Sequence, residues 1–190
     1  YSPLRDLNKE TLDKKAHLFP VKNALLYFEA SPLGGRGKSQ QGEQYYMAKN
    51  PPVAATFTFY LKEGYTTLKQ IRKKAEKDAV KEGTEINYPS LVELELEDNE
   101  LKPYLLFIVK DDKGNVVRKI KAPAKKGIQR VNWDMKQHSV MPISSRSSSS
   151  EKGGGSSGWL VDPGTYSVEV ELFYKGKFEK QQVAVKILFC

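Results

Sequence analysis

The chain has 190 residues, with 31 Lys and Arg against 23 Asp and Glu for a formal net charge of +8. Its 39% apolar and 11% aromatic content excludes wholesale disorder, and no apolar run approaches the roughly 20 residues needed to cross a bilayer, so a soluble chain with a sizeable core is expected. A single cysteine, Cys190, excludes an internal disulfide and a cysteine metal site and leaves the redox compartment open.

Tyr1, not Met, opens the sequence and no basic-then-apolar leader precedes it, which leads us to expect a piece of a larger protein whose signal peptide lies out of view. Residues 1–50 are broken by Ser2-Pro3, Phe19-Pro20, Ser31-Pro32 and Gly34-Gly35 and read as an irregular lead-in segment. Within it, Ala24 to Ala30 has the composition of one short strand and Ser31 to Gln44 that of a mobile loop. From Ala54 to Lys62 the period is two: Ala55, Phe57, Phe59 and Leu61 share one face, predicted inward, and Thr56, Thr58 and Tyr60 the other.

The period then changes. Leu68, Ile71, Ala75 and Ala79 recur at helical spacing, Thr66 or Thr67 can cap the start and Gly83 suits the end, so residues 66–83 are predicted as an amphipathic helix on the domain surface. Residues 90–98 alternate as a strand would. Ser90-x-x-Glu93 nevertheless has the form of a capping box, Leu and Glu are good helix formers and Pro103 follows, which favours a second short helix.

Tyr104 to Val109 is a continuous apolar run, the mark of a central strand, and Asp111-Asp112-Lys113-Gly114-Asn115 is its turn into Val116 to Ile120. Ile128 to Trp133 places Val131 and Trp133 on one face and Arg130 and Asn132 on the other. Residues 144–158 form a Ser/Gly tract expected to be a flexible loop. After the Asp162-Pro163-Gly164 turn, Tyr166, Val168, Val170, Leu172 and Tyr174 face inward, Lys175-Gly176-Lys177 turns the chain, and Phe178 to Leu188 closes it. Turn signals between about seven short strands predict an all-β, immunoglobulin-like sandwich over residues 51–190, with a helical insertion at 66–101.

Candidate chemistry is sparse. The sequence lacks a Gly-x-Ser-x-Gly elbow, a His-Glu-x-x-His helix and a phosphate-binding glycine loop, and His17 and His138 lie far apart in sequence, so neither a catalytic role nor a metal site nor a cofactor is predicted. Asp111 and Asp112 lack calcium-loop spacing and read as turn residues. Trp133 reads as core. Trp159, after the glycine-rich tract, can pack back on the domain or present a flat face to a glycan, and Tyr45 and Tyr46 are weaker candidates of the same kind. Lys69, Lys73, Lys77 and Lys81 form a helical stripe with Arg72 and Lys74. Glu76, Asp78 and Glu82 interrupt it, Lys74 can pair with Asp78, and no base-stacking aromatics accompany it, so a solvated face is expected and not a nucleic-acid surface.

The blocks VKDDKGNVVRKIKAPAKKGIQRVNWD and DPGTYSVEV resemble the bacterial immunoglobulin-like module also seen in flagellar hook-capping proteins. Together with SPLRDL, AHLFPVK, NPPVAATFTFYLKE, TLKQIRKKAEK and YPS, they resemble the C-terminal region that follows the β-propeller in secreted bacterial proteins with BNR-type, sortilin-like or glycosyl-hydrolase-like repeats. The Ser/Gly tract is longer than that family's loop, and the propeller is not in the sequence. The resemblance implies a secreted or periplasmic, non-catalytic accessory domain whose partner is a propeller in the same polypeptide. A carbohydrate-binding module using exposed aromatics is the alternative.

Overall fold

In the computed structural model, residues 2–27, 50–139 and 157–189 are described. Tyr45, Tyr46 and residues 144–156 of the Ser/Gly tract lie outside them. The described chain is mostly β-sheet. After a 3₁₀ turn (Ser2–Asp6) and a short helix α1 (Lys9–Asp13) come β1 (Ala16–Leu18) and β2 (Ala55–Leu61), then α2 (Leu68–Glu82) and α3 (Leu91–Asn99). There follow β3 (Tyr104–Lys110), β4 (Val116–Pro123), β5 (Gly127–Trp133), β6 (Lys136–His138), β7 (Ser157–Leu160), β8 (Gly164–Tyr174) and β9 (Lys177–Phe189).

Two antiparallel sheets, in the orders β1-β2-β5 and β4-β3-β8-β9, pack face to face, and β6-β7 forms a separate ribbon. The core between them is built by the strand alternation read from the sequence. Ala55, Phe57, Phe59 and Leu61 of β2 meet Leu105, Phe107 and Val109 of β3 and Val168, Val170 and Leu172 of β8. Phe57 stacks on Phe107 at 5.7 Å and Phe59 meets the same ring edge-on at 5.1 Å. Trp133 is 0% exposed, as its phase with half-buried Val131 predicts, packs against Tyr166 at 5.3 Å and donates its indole N–H to the Lys136 carbonyl at 3.0 Å. The one polar group of the buried indole, its N–H, is thereby satisfied.

The structure departs from the sequence reading at identifiable points. Within residues 1–50, expected as an irregular lead-in, residues 16–18 form β1 and extend the β2 sheet. Of the short strand expected from Ala24 to Ala30, only an isolated bridge at Ala24 forms within the described part, which ends at Tyr27; Ala24 is buried while Leu25 and Leu26 are exposed, so the segment lacks the two-residue alternation of a strand. Ser157 and Gly158, expected within the flexible loop, belong to β7. Gly158 is required there because a Cβ would come within 2.3 Å of the Gln137 carbonyl oxygen. The hairpin partner of β3 runs to Pro123, three residues beyond the expected Ile120.

Both predicted helices form, with capping boxes. Thr67 and Gln70 bracket the start of α2, and Gly83 ends it in the left-handed region at φ 68°. Ser90 and Glu93 do the same for α3. At the β8-β9 turn, Lys175 and Gly176 both have positive φ, 49° and 76°, the two-residue geometry that matches strand twist.

Candidate functional site

Neither α2 nor α3 has a single buried residue. The two run antiparallel as a hairpin inserted between β2 and β3. Leu68, Ile71, Ala75 and Ala79, the apolar stripe legible in the sequence, face a groove of about 550 Å³ closed on its other side by Leu96 of α3 and by Ile86 and Pro89 of the connecting segment. A helix stripe of this kind is normally spent on a core. Here it remains open, and Val80 of α2 and Leu91 and Val92 of α3 are exposed as well.

Charge, not apolar packing, clamps the hairpin. Arg72 of α2 donates Nε to Glu97 Oε1 at 2.7 Å and Nη2 to Oε2 at 2.8 Å, the bidentate form, while Nη1 reaches Glu76 at 2.5 Å. These bonds raise the Arg72 pKa, and the Arg72 hydrogen bond holds the Glu97 carboxyl below the usual carboxylate range. Glu93 is lowered too, chiefly by the Ser90 backbone N–H that caps α3. Lys69 meets Asp98 at 3.5 Å, and the Leu68 N–H donates to Glu100 at 2.6 Å. Asp78 pairs with Lys81 at 3.7 Å and not with Lys74, because the i+3 lysine of this helix reaches it. The α2 lysines are otherwise exposed along a face that faces solvent.

The sequence-predicted candidates do not converge on this groove. Trp159 is 76% exposed on β7 of the β6-β7 ribbon, with half-exposed Leu160 beside it. The ribbon that carries it is pinned to β4 by Arg118, whose guanidinium donates to the Gln137 carbonyl at 3.1 Å, and by His138, whose Nδ1 lies 3.2 Å from the Val117 carbonyl. His17 sits in the other sheet, edge-on to Phe19 at 4.9 Å, and its pKa is lowered by burial and then by Lys14. Asp111 accepts the backbone N–H groups of Lys113 and Asn115 at 3.0 and 2.7 Å and the Asn115 amide at 2.9 Å, so its carboxylate serves the turn. Among the described residues no three His, Cys, Asp or Glu side chains converge as a metal site requires, and no helix is long and apolar enough to cross a membrane.

The Arg72–Glu97 clamp is invisible in the sequence, since 25 residues separate the partners and no local motif joins them. The groove was half legible: the α2 stripe shows in the periodicity, whereas Ile86 and Pro89 lie in a segment with none. Compared with protein-family models, curated proteins and solved structures, the chain matches none of them.

Proposed function

We propose that this chain is a non-catalytic, immunoglobulin-like accessory domain that packs against a neighbouring domain of the same polypeptide, a β-propeller of the glycosyl-hydrolase-like kind that the sequence resembles, in a secreted or periplasmic protein. The observation that carries the docking role is the open apolar groove between α2 and α3. Contiguous exposed apolar surface rimmed by charge is how a soluble domain keeps an interaction face.

Two features support the immunoglobulin-like reading. Among the described residues the two sheets hold three and four strands, with β3 and β4 together in one and β5 in the other, an order in keeping with the Greek-key connections of such sandwiches. In addition, the Tyr166 hydroxyl, at the start of β8, donates to the Asp162 carbonyl four residues upstream at 2.6 Å, the form of a tyrosine corner. Burial raises the phenol pKa, which keeps it a donor.

The test is made in the parent polypeptide. Ile71→Glu together with Leu96→Glu places charge in the groove without touching the sheet core, and is expected to lower the propeller's melting temperature and yield, as deletion of residues 1–190 should. Unchanged melting and yield in both forms would sink the docking role.

A second reading, glycan binding, is favoured by the exposure of Trp159, whose indole face is free to stack on a sugar ring. Quenching or shift of tryptophan emission across a polysaccharide panel, lost in Trp159→Ala, would establish it. No response across the panel would remove it.

A further inference from the structure

The outer face of the β1-β2-β5 sheet carries a second concavity, of about 690 Å³, that shares no lining residue with the groove of the helical hairpin. Its floor is a polar ladder in strand register. Thr56 lies opposite Asn132, its hydroxyl 2.9 Å from the amide oxygen, and Thr58 lies opposite Arg130. Lys22 and Asn23 form one rim and Asn50 the other; the Tyr27 hydroxyl donates to the Pro51 carbonyl and ties the two rims together. Phe19, fully buried just before Lys22, anchors that rim by donating its backbone N–H to the Thr58 carbonyl at 2.9 Å.

The electrostatics are one-sided. Among the described residues the cleft lining includes two cations, Lys22 and Arg130, and no carboxylate. Among the described residues neither cation has an ion-pair partner, although other cations of the sheets, such as Lys110, do. Thr58 is 1% exposed and its hydroxyl oxygen has no hydrogen-bond partner among the described residues, a deficit that buried hydroxyls rarely carry. A cleft of this size, with uncompensated positive charge, amide and hydroxyl groups and a tyrosine ring with adjacent prolines, suits a compact anionic polyol.

We infer that this cleft binds a carboxylate-bearing sugar residue. Arg130 takes the carboxylate as a two-pronged donor, Lys22 adds the second charge, and the amides of Asn23 and Asn50 serve the ring hydroxyls. The site is independent of Trp159 and of the groove between α2 and α3, so it stands or falls apart from either reading above.

Calorimetric titration of the 190-residue chain with a galacturonate oligomer, its neutral galactose counterpart and acetate tests the inference. The acidic oligomer is expected to bind, the neutral one and acetate to bind at least about tenfold more weakly, and Arg130→Gln to weaken the acidic oligomer by about tenfold with an unchanged urea midpoint. Lys22→Gln should weaken it by a smaller factor, and Trp159→Ala should leave it unchanged. No binding of the acidic oligomer at millimolar concentration, equal binding of the neutral oligomer, acetate binding as tightly as the oligomer, or full affinity retained by Arg130→Gln would each overturn it.

Discussion

The two sheets and the helical hairpin solve the problem of holding together in opposite ways. Between the sheets, Trp133, Phe57, Phe107 and Val109 are wholly removed from water, and the Trp133 indole is paired with the Lys136 carbonyl. In the hairpin no apolar side chain is buried; its order comes from two capping boxes, a bidentate Arg72–Glu97 pair and further polar contacts at its base. Apolar burial of the first kind carries no charge to titrate, whereas the hairpin's charge pairs, from half-shielded Arg72–Glu97 to largely exposed Lys69–Asp98, depend on pH and are weakened by salt in proportion to their exposure. The stable region is therefore the scaffold, and the region that can respond to a partner is the one with an unspent apolar face.

The largest way to break this contrast is at Trp133. Trp133→Ala removes a fully buried ring together with its indole hydrogen bond, and should cost about 3–5 kcal/mol out of a total of about 5–15 kcal/mol. Trp159→Ala, at a residue mostly in water, should cost less than about 0.5 kcal/mol. Urea midpoints of the two variants check the pair, and similar midpoints would mean that the core is not where Trp133 sits.

A smaller effect is expected at Tyr166. Tyr166→Phe keeps the ring against Trp133 and deletes only the bond to the Asp162 carbonyl, for a loss of about 1–2 kcal/mol. Thermal melting of this variant beside Trp133→Ala separates the corner hydrogen bond from the packing.

Acid sharpens the contrast without changing a residue. Glu93 and Glu97 have folded pKa values below their unfolded ones, so their contribution is present above the unfolded value of about 4.3 and is lost as pH falls through the folded one. Amide protons of α2 and α3 should lose exchange protection as the pH falls below about 4 while those of β3 and β8 keep theirs. Asp111 and Glu169, lowered by the Asn115 amide and by Lys110 respectively, titrate in the sheet region as well, but the apolar core beneath them does not. Simultaneous loss of protection in both regions would show that they are one cooperative unit.

Much of the scaffold was legible because alternation is a local property. Ala55 to Leu61 and Tyr166 to Tyr174 declare their inward face within seven and nine residues, the continuous apolar run Tyr104 to Val109 marks a central strand, and Ser90-x-x-Glu93 resolved a strand-like pattern into α3. What the sequence could not declare is what lies far apart along the chain. Three residues of β1 carry too few positions for a period, and the Arg72–Glu97 clamp and the opposition of Thr58 to Arg130 depend on elements brought together by the fold. Gly158 is a case between the two, since it reads as linker by composition and proves to be a strand residue held by a close approach to β6.

The pairing of β2 with β5 has a kinetic consequence. Thr56 and Asn132 touch across 76 residues of sequence, with the whole helical insertion and the β3-β4 hairpin between them, whereas β3-β4 and β8-β9 close across tight turns. Closing so long a loop costs chain entropy before any contact repays it, so the hairpins are expected to form early and β2 to dock late, in a slow phase of milliseconds to seconds typical of β topologies rich in distant pairings. Until then Phe57 and Phe59 have no opposing sheet, and in that interval, more than in the finished fold, the chain is exposed to aggregation.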